Sequence, residues 1–175
     1  MNLKDDYFSL FSLSVSYDVD RKLLDSAYRK LQQQFHPDRA AGKSEMEKRI
    51  AMQTTAAINQ AYSVLKSPLQ RAQYLLQLQG LDSDQGSHIT SDSGFLMEQI
   101  LLREQLDEVA HSAEPFAALQ RLRDTVTQSF QRMQQDFVAQ YDQGCYQQAF
   151  DVVAKMQFFD KLARQIDELE QDLED

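Results

Sequence analysis

Residues 35–39 read Phe-His-Pro-Asp-Arg, so His36 and Asp38 set an imidazole and a carboxylate on either side of Pro37. Groups of that kind can act as general acid and base, as two metal ligands, or as polar contacts for a partner. The plainest reading is a helix end: proline disfavours helical dihedrals at the residue before it and cannot donate a backbone hydrogen bond, which stops a helix at His36. There the negative end of the helix dipole favours a histidine, and the aspartate suits a turn. Metal or acid-base chemistry has little else to draw on. The chain holds three histidines, His36, His88 and His111, with no helical His pair, and one cysteine, Cys145. A single cysteine excludes an intrachain disulfide and a multi-cysteine zinc or iron-sulfur site within one chain, and fits a reducing cytoplasm.

The flanking elements give this corner a position. Tyr7, Phe8, Leu10 and Phe11, behind Asp5 and Asp6 as candidate caps, predict a short, mostly buried helix. Asp18 or Asp20 can cap a second helix reaching about Phe35, with Leu24, Ala27, Tyr28, Leu31 and Phe35 on one apolar stripe. Between Val19 and Arg39 five bases (Arg21, Lys22, Arg29, Lys30, Arg39) stand against three acids (Asp20, Asp25, Asp38), a local net of +2 in a chain of net charge −9. A solvated face is the ordinary reading of such a run; a surface that steers an acidic partner is the functional one. After the 39–43 loop, Ser44 and Glu47 have the spacing of a capping box. A long helix from there would bury Ile50, Thr54, Ala57, Ile58, Ala61 and Leu65, and end at Ser67-Pro68. Ala56, Ala57 and Ala61 allow close helix approach, so the second and third helices are expected as an antiparallel hairpin with the 36–43 loop at its tip. Ser67 caps a fourth helix that closes at Gly80.

Five Gly and three Pro in 175 residues, with apolar residues at helical spacing almost throughout, predict an all-α chain. No run nears the ~18 apolar residues of a membrane span. The N-terminus, acidic and without an apolar core, reads as neither a secretory signal nor a transit peptide. A net charge of −9 argues against general nucleic-acid affinity, because phosphate contacts need a basic surface. A protein partner is the expectation. The polar stretch 81–94, with His88 solvated in it, marks a domain boundary: residues 1–80, a linker at 81–93, and a second domain at 94–175.

Three further helices are expected at 95–111, about 115–143 and 145–173, packed as a three-helix bundle. The middle one carries a stripe of Leu119, Leu122, Val126, Phe130, Met133, Phe137 and Tyr141; the last carries Ala149, Val152, Met156, Phe159, Ala163, Ile166 and Leu169. The end after Ile166, with six carboxylates and no base, reads as solvated. The first of the three is apolar on two sides. At about 100° per residue, Phe95, Leu102, Leu106 and Val109 converge on a core face, while Leu96, Met97, Ile100 and Leu101 point broadly away with Glu104, Asp107 and Glu108. That second face either packs on the N-terminal domain or binds a protein through an apolar centre with an acidic rim. Phe158, beside Phe159 but off its stripe, fits the second reading.

The short aromatic helix, the basic helix, His36-Pro37-Asp38 and the Ala-rich helix with Ile58-Asn59-Gln60-Ala61-Tyr62 and Leu65 together resemble a J domain. The segments Ser67-Pro68-Leu69-Gln70-Arg71-Ala72-Gln73-Tyr74-Leu75-Leu76 and Phe95-Leu96-Met97-Glu98-Gln99 extend the resemblance, over essentially the full length, to the HscB family of J-protein co-chaperones in bacterial iron-sulfur cluster assembly. The resemblance implies that the J domain engages a DnaK-type ATPase chaperone, HscA, and stimulates its ATP hydrolysis. It also implies that the C-terminal bundle binds the scaffold protein IscU and delivers it as client. By the same resemblance Arg29, Lys30, His36, Pro37 and Asp38 would meet the chaperone, and Leu96, Met97, Ile100, Glu104, Glu108 and Phe158 the scaffold. No catalytic residue, metal or cofactor is implied. Leu101 departs from the pattern by standing where another acid is expected. Some eukaryotic relatives use a cysteine pair in an N-terminal zinc module, and the lack of one here fits the bacterial form. Two readings from other classes remain. A helical adaptor for two proteins would leave the ATPase unstimulated, and an enzyme using His36 and Asp38 would betray itself by metal content or turnover.

Overall fold

In the computed structural model the described residues are 6–35, 44–81 and 92–174, so His36, Pro37, Asp38 and His88 lie outside them. Seven helices occupy the described residues: α1 (Tyr7–Leu10), α2 (Arg21–Phe35), α3 (Glu45–Lys66), α4 (Pro68–Leu78), α5 (Ser93–Val109), α6 (Pro115–Asp142) and α7 (Tyr146–Glu174). None is long and apolar enough to cross a membrane. They form two compact units that divide between Leu75 and Leu76, inside α4.

In the first unit the helix starts are held by side-chain caps. Asp6 accepts from the Ser9 amide at 2.9 Å, and Phe8 and Phe11 behind it are buried. Asp20, of the two candidates, caps α2, accepting from the amides of Lys22 at 2.8 Å and Leu23 at 3.1 Å. Ser44 and Glu47 make both halves of the capping box at the start of α3. Thr54, Ile58, Ala61 and Leu65 are buried as the spacing predicts, but Ile50 is 52% exposed. The reason is length. Thr55 Oγ1 donates to the carbonyl of Phe35 at 2.9 Å, so the last described residue of α2 lies opposite Thr55, and the first turns of α3, Ile50 included, run past it. Ala56, one of the three small residues, is also exposed; Ala61 is the one fully buried. At the end of α3, Arg71 Nη1 donates to Leu65 O at 2.6 Å, and its guanidinium sits 4.8 Å from the Tyr17 ring centre. Burial pushes the Tyr17 phenol up to about 12 against the pull of Arg71.

The second unit holds α5, α6 and α7. Phe95, Leu102, Val109, Leu119, Leu122, Val126, Phe159, Leu162 and Ile166 form its core. On α7 Ala149, Met156, Phe159 and Ile166 are buried as expected, but Val153 and Leu162 are buried in place of Val152 and Ala163, which are only partly covered, so the expected stripe is corrected by one residue at two places. Steps of three and four are equivalent on an isolated helix, and the neighbours decide between them. Asp92 caps α5 by accepting from the Phe95 amide at 3.0 Å, so the helix starts at Ser93, two residues before the expected Phe95, and ends at Val109 rather than His111. Gly144, at φ +75°, turns the chain between α6 and α7. The acidic end of α7 is not simply solvated: Arg123 on α6 donates to Asp167 at 2.9 Å and to both oxygens of Glu170, at 3.0 and 2.8 Å.

Candidate interaction surfaces

In the first unit, α2 is held on α3 by an aromatic and polar ladder. The Tyr28 and Tyr62 rings stack at 3.9 Å, Tyr28 Oη donates to Asn59 Oδ1 at 3.0 Å, and Gln32 Nε2 donates to the same oxygen. The antiparallel pairing brings residues 28 and 62, then 35 and 55, into contact, as a hairpin requires. Arg21 is drawn into the ladder: its Nε donates to Asp25 at 2.7 Å, and Tyr62 Oη donates to that carboxylate at 2.9 Å. Burial pushes the Asp25 carboxyl up, but the hydrogen bonds from Tyr62 and Arg21 outweigh it and leave the group below its usual range. Lys22, Arg29 and Lys30 are exposed. Arg29 and Lys30 stand in the C-terminal half of α2, more than one turn before its end at Phe35, and the 36–38 segment beyond that end lies outside the described residues. Lys30 also edges a groove of about 330 Å³ lined by Leu10, Phe11, Leu23 and Leu31.

In the second unit, α5 divides its apolar residues between two sides. Phe95, Leu102 and Val109 are buried, while Leu96 (40%), Met97 (58%), Ile100 (52%) and Leu101 (50%) are exposed. Glu104 and Glu108 are exposed on the same outward side. Phe158 differs from the others. It is half-buried, packs on the bundle core, and meets Phe95 edge-on at 5.7 Å and Phe159 at 5.3 Å. It therefore adjoins the start of α5 as a fixed ring rather than as a loose surface side chain.

Three residues that set this surface carry no expectation from the sequence. Asp92 both caps α5 and accepts from Lys155 Nζ of α7 at 2.6 Å, and the hydrogen bonds from Lys155 and from the Phe95 amide hold its carboxyl below the usual range. Lys155 lies 5.4 Å from the Phe95 ring centre, and the Arg103 guanidinium 5.6 Å from that of Phe158. The cap was legible in the Asp-Ser-Gly before Phe95, but the partners from α7 are too distant in sequence to leave a local sign. Among the described residues no group of three His, Cys, Asp or Glu side chains could hold a metal ion.

The family model of the DnaJ domain matches residues 6–74, and that of the HSCB C-terminal oligomerisation domain matches residues 91–167. Among solved structures, the chaperone HscB from Vibrio cholerae is 39% identical with a TM-score of 0.86, covering 97% of this chain and 99% of that one. The human co-chaperone protein HscB is 28% identical with a TM-score of 0.89, covering 97% of this chain and 84% of that one. The Jac1 co-chaperone from Saccharomyces cerevisiae, at 22% identity and a TM-score of 0.71 over 93% of this chain and 97% of that one, shares the fold. Matched in both halves, and at 39% identity along nearly the whole of one solved relative, the chain belongs to the HscB family of J-domain co-chaperones.

Proposed function

We propose that the chain binds the iron-sulfur scaffold protein IscU through Leu96, Met97, Ile100, Glu104, Glu108 and Phe158. It presents this client to the DnaK-type chaperone HscA through Arg29, Lys30, His36, Pro37 and Asp38, and stimulates HscA's ATP hydrolysis in aid of iron-sulfur protein maturation in the cytoplasm. Family membership supports a DnaK-type partner and a non-enzymatic part. The client, the particular chaperone and a division into 1–80, 81–93 and 94–175 belong to the proposal.

The observation that carries it is the outward side of α5, where four large apolar side chains at 40–58% exposure stand beside Glu104 and Glu108, opposite a buried stripe. Large exposed apolar side chains interspersed with charged ones have the composition of an interface. No bond is made or broken by this chain in the mechanism. Holding the scaffold on the chain that also holds the ATPase raises the scaffold's effective concentration at the chaperone. The J-domain contact favours the hydrolysis-competent arrangement of the ATPase, which is a coupling free energy between two sites. Steady-state ATP hydrolysis by HscA with IscU present is the test. His36→Gln is expected to keep the fold and the scaffold affinity and to lose stimulation; undiminished stimulation would remove His36 from this role.

A further inference from the structure

We infer that Arg103 is a specificity-determining residue of the client-binding face, set there by the ring of Phe158 to meet a carboxylate on the client; the inference rests on the client half of the function proposed above. Arg103 is the single base of α5, a helix that also carries Glu98, Glu104, Asp107 and Glu108. Asp107 stands at the i,i+4 spacing that pairs charges on a helix, yet Arg103 makes no ion pair among the described residues. Its guanidinium lies instead 5.6 Å from the centre of the Phe158 ring. That ring is itself anchored, edge-on to Phe95 and Phe159 and packed on the core. A guanidinium over an aromatic face is held by the ring's negative quadrupole and still has N–H donors to offer.

Position on the helix gives the charge its meaning. At about 100° per residue, Arg103, Leu96 and Asp107 fall on one flank of the outward side, Ile100 and Glu104 near its centre, and Met97, Leu101 and Glu108 on the other flank. The first flank adjoins Phe158 of α7, and on the second Glu108 lines a groove with Arg121 and Thr125 of α6. The face thus carries the one base of α5 at the α7 edge, with Asp107 on the same flank, and Glu104 and Glu108 at the centre and the α6 edge. A client with bases alone would leave the guanidinium desolvated without a partner, and unpaired charge of that kind discriminates between clients. Arg also offers bidentate geometry to a carboxylate that Lys cannot reproduce.

Calorimetry of the full chain with IscU, at low and high salt and with thermal melts as the check on folding, tests this. Arg103→Ala is expected to bind about five- to tenfold more weakly at low salt. Arg103→Lys should recover only part of the loss, and salt should narrow the gap. In a Phe158→Leu background the Arg103→Ala ratio should shrink, because the ring orients the guanidinium. A purely structural Arg103 would move the melt and leave the salt dependence of binding unchanged, which counts against the inference. Wild-type or tighter affinity for Arg103→Ala, with Leu96→Ala still weakened, overturns the role of Arg103 and leaves the face standing. Wild-type affinity for both variants overturns the face and the inference with it.

Discussion

Arg123 donates to Glu170 from two nitrogens, and this hydrogen bonding holds the Glu170 carboxyl below its ordinary value of 4.5. A carboxylate whose folded pKa is depressed stabilises the fold above its unfolded value and loses that contribution as pH falls through the lower folded value. Glu170→Gln should therefore have a lower urea midpoint than wild type at neutral pH, with the gap closing as the pH drops below about 4. An equal gap at neutral and at strongly acid pH would show that the charge is irrelevant. Side chains of the α5 face have a different signature. Leu96 is 40% exposed, so Leu96→Ala should weaken scaffold binding without moving the melt. Phe158→Ala should do both, since the ring also packs on the core. The two together are expected to cost on the order of 2 kcal/mol or more in calorimetric affinity for the scaffold, and unchanged affinity would return both residues to a structural role.

Helix ends are where single residues govern whole elements. Ser44 and Glu47 satisfy amides at the start of α3, the helix that extends past the last described residue of α2. Ser44→Ala should cost about 1 kcal/mol of stability, read as a lower melting temperature, with scaffold affinity unchanged. Asp92 joins two elements, capping α5 and accepting from Lys155 of α7. In Asp92→Ala, amide hydrogen exchange should quicken in the first turn of α5, beside Leu96 and Met97, while the centre of α6 keeps its protection. Uniform quickening across the bundle would mean that the contact holds the whole unit rather than one helix end. Periodicity made the helices themselves legible: every one was expected from apolar spacing and caps, and their ends moved by only a few residues. Burial at Val153 and Leu162 in place of Val152 and Ala163 was not legible, because that choice depends on where α5 and α6 lie against α7.

At the scale of the whole chain, the proposed function requires both surfaces on one polypeptide. Coupling by effective concentration is lost when the two sites are on separate molecules. A mixture of His36→Gln chains with chains carrying Leu96→Ala and Phe158→Ala should therefore fail to restore the ATPase stimulation seen with wild type and scaffold. Full restoration by the mixture would show that the two contacts act independently.

The sequence by itself determined the all-α class, the caps at Asp6, Ser44 and Ser67, the hairpin pairing of α2 with α3, and the two-sided character of α5. The class, the caps and the two sides of α5 are decided within a few residues of one another, by dihedral preference, local hydrogen bonds and apolar period, and the hairpin follows from two adjacent helices joined by a short loop. Tertiary structure decided that Ile50 is exposed, that Arg123 draws Asp167 and Glu170 to α6, that Lys155 ties down the start of α5, and that Arg103 lies over Phe158. Each of these depends on which helix runs alongside and how far it extends. Partners 44 to 63 residues apart meet only after the helices have packed, so no local pattern announces them.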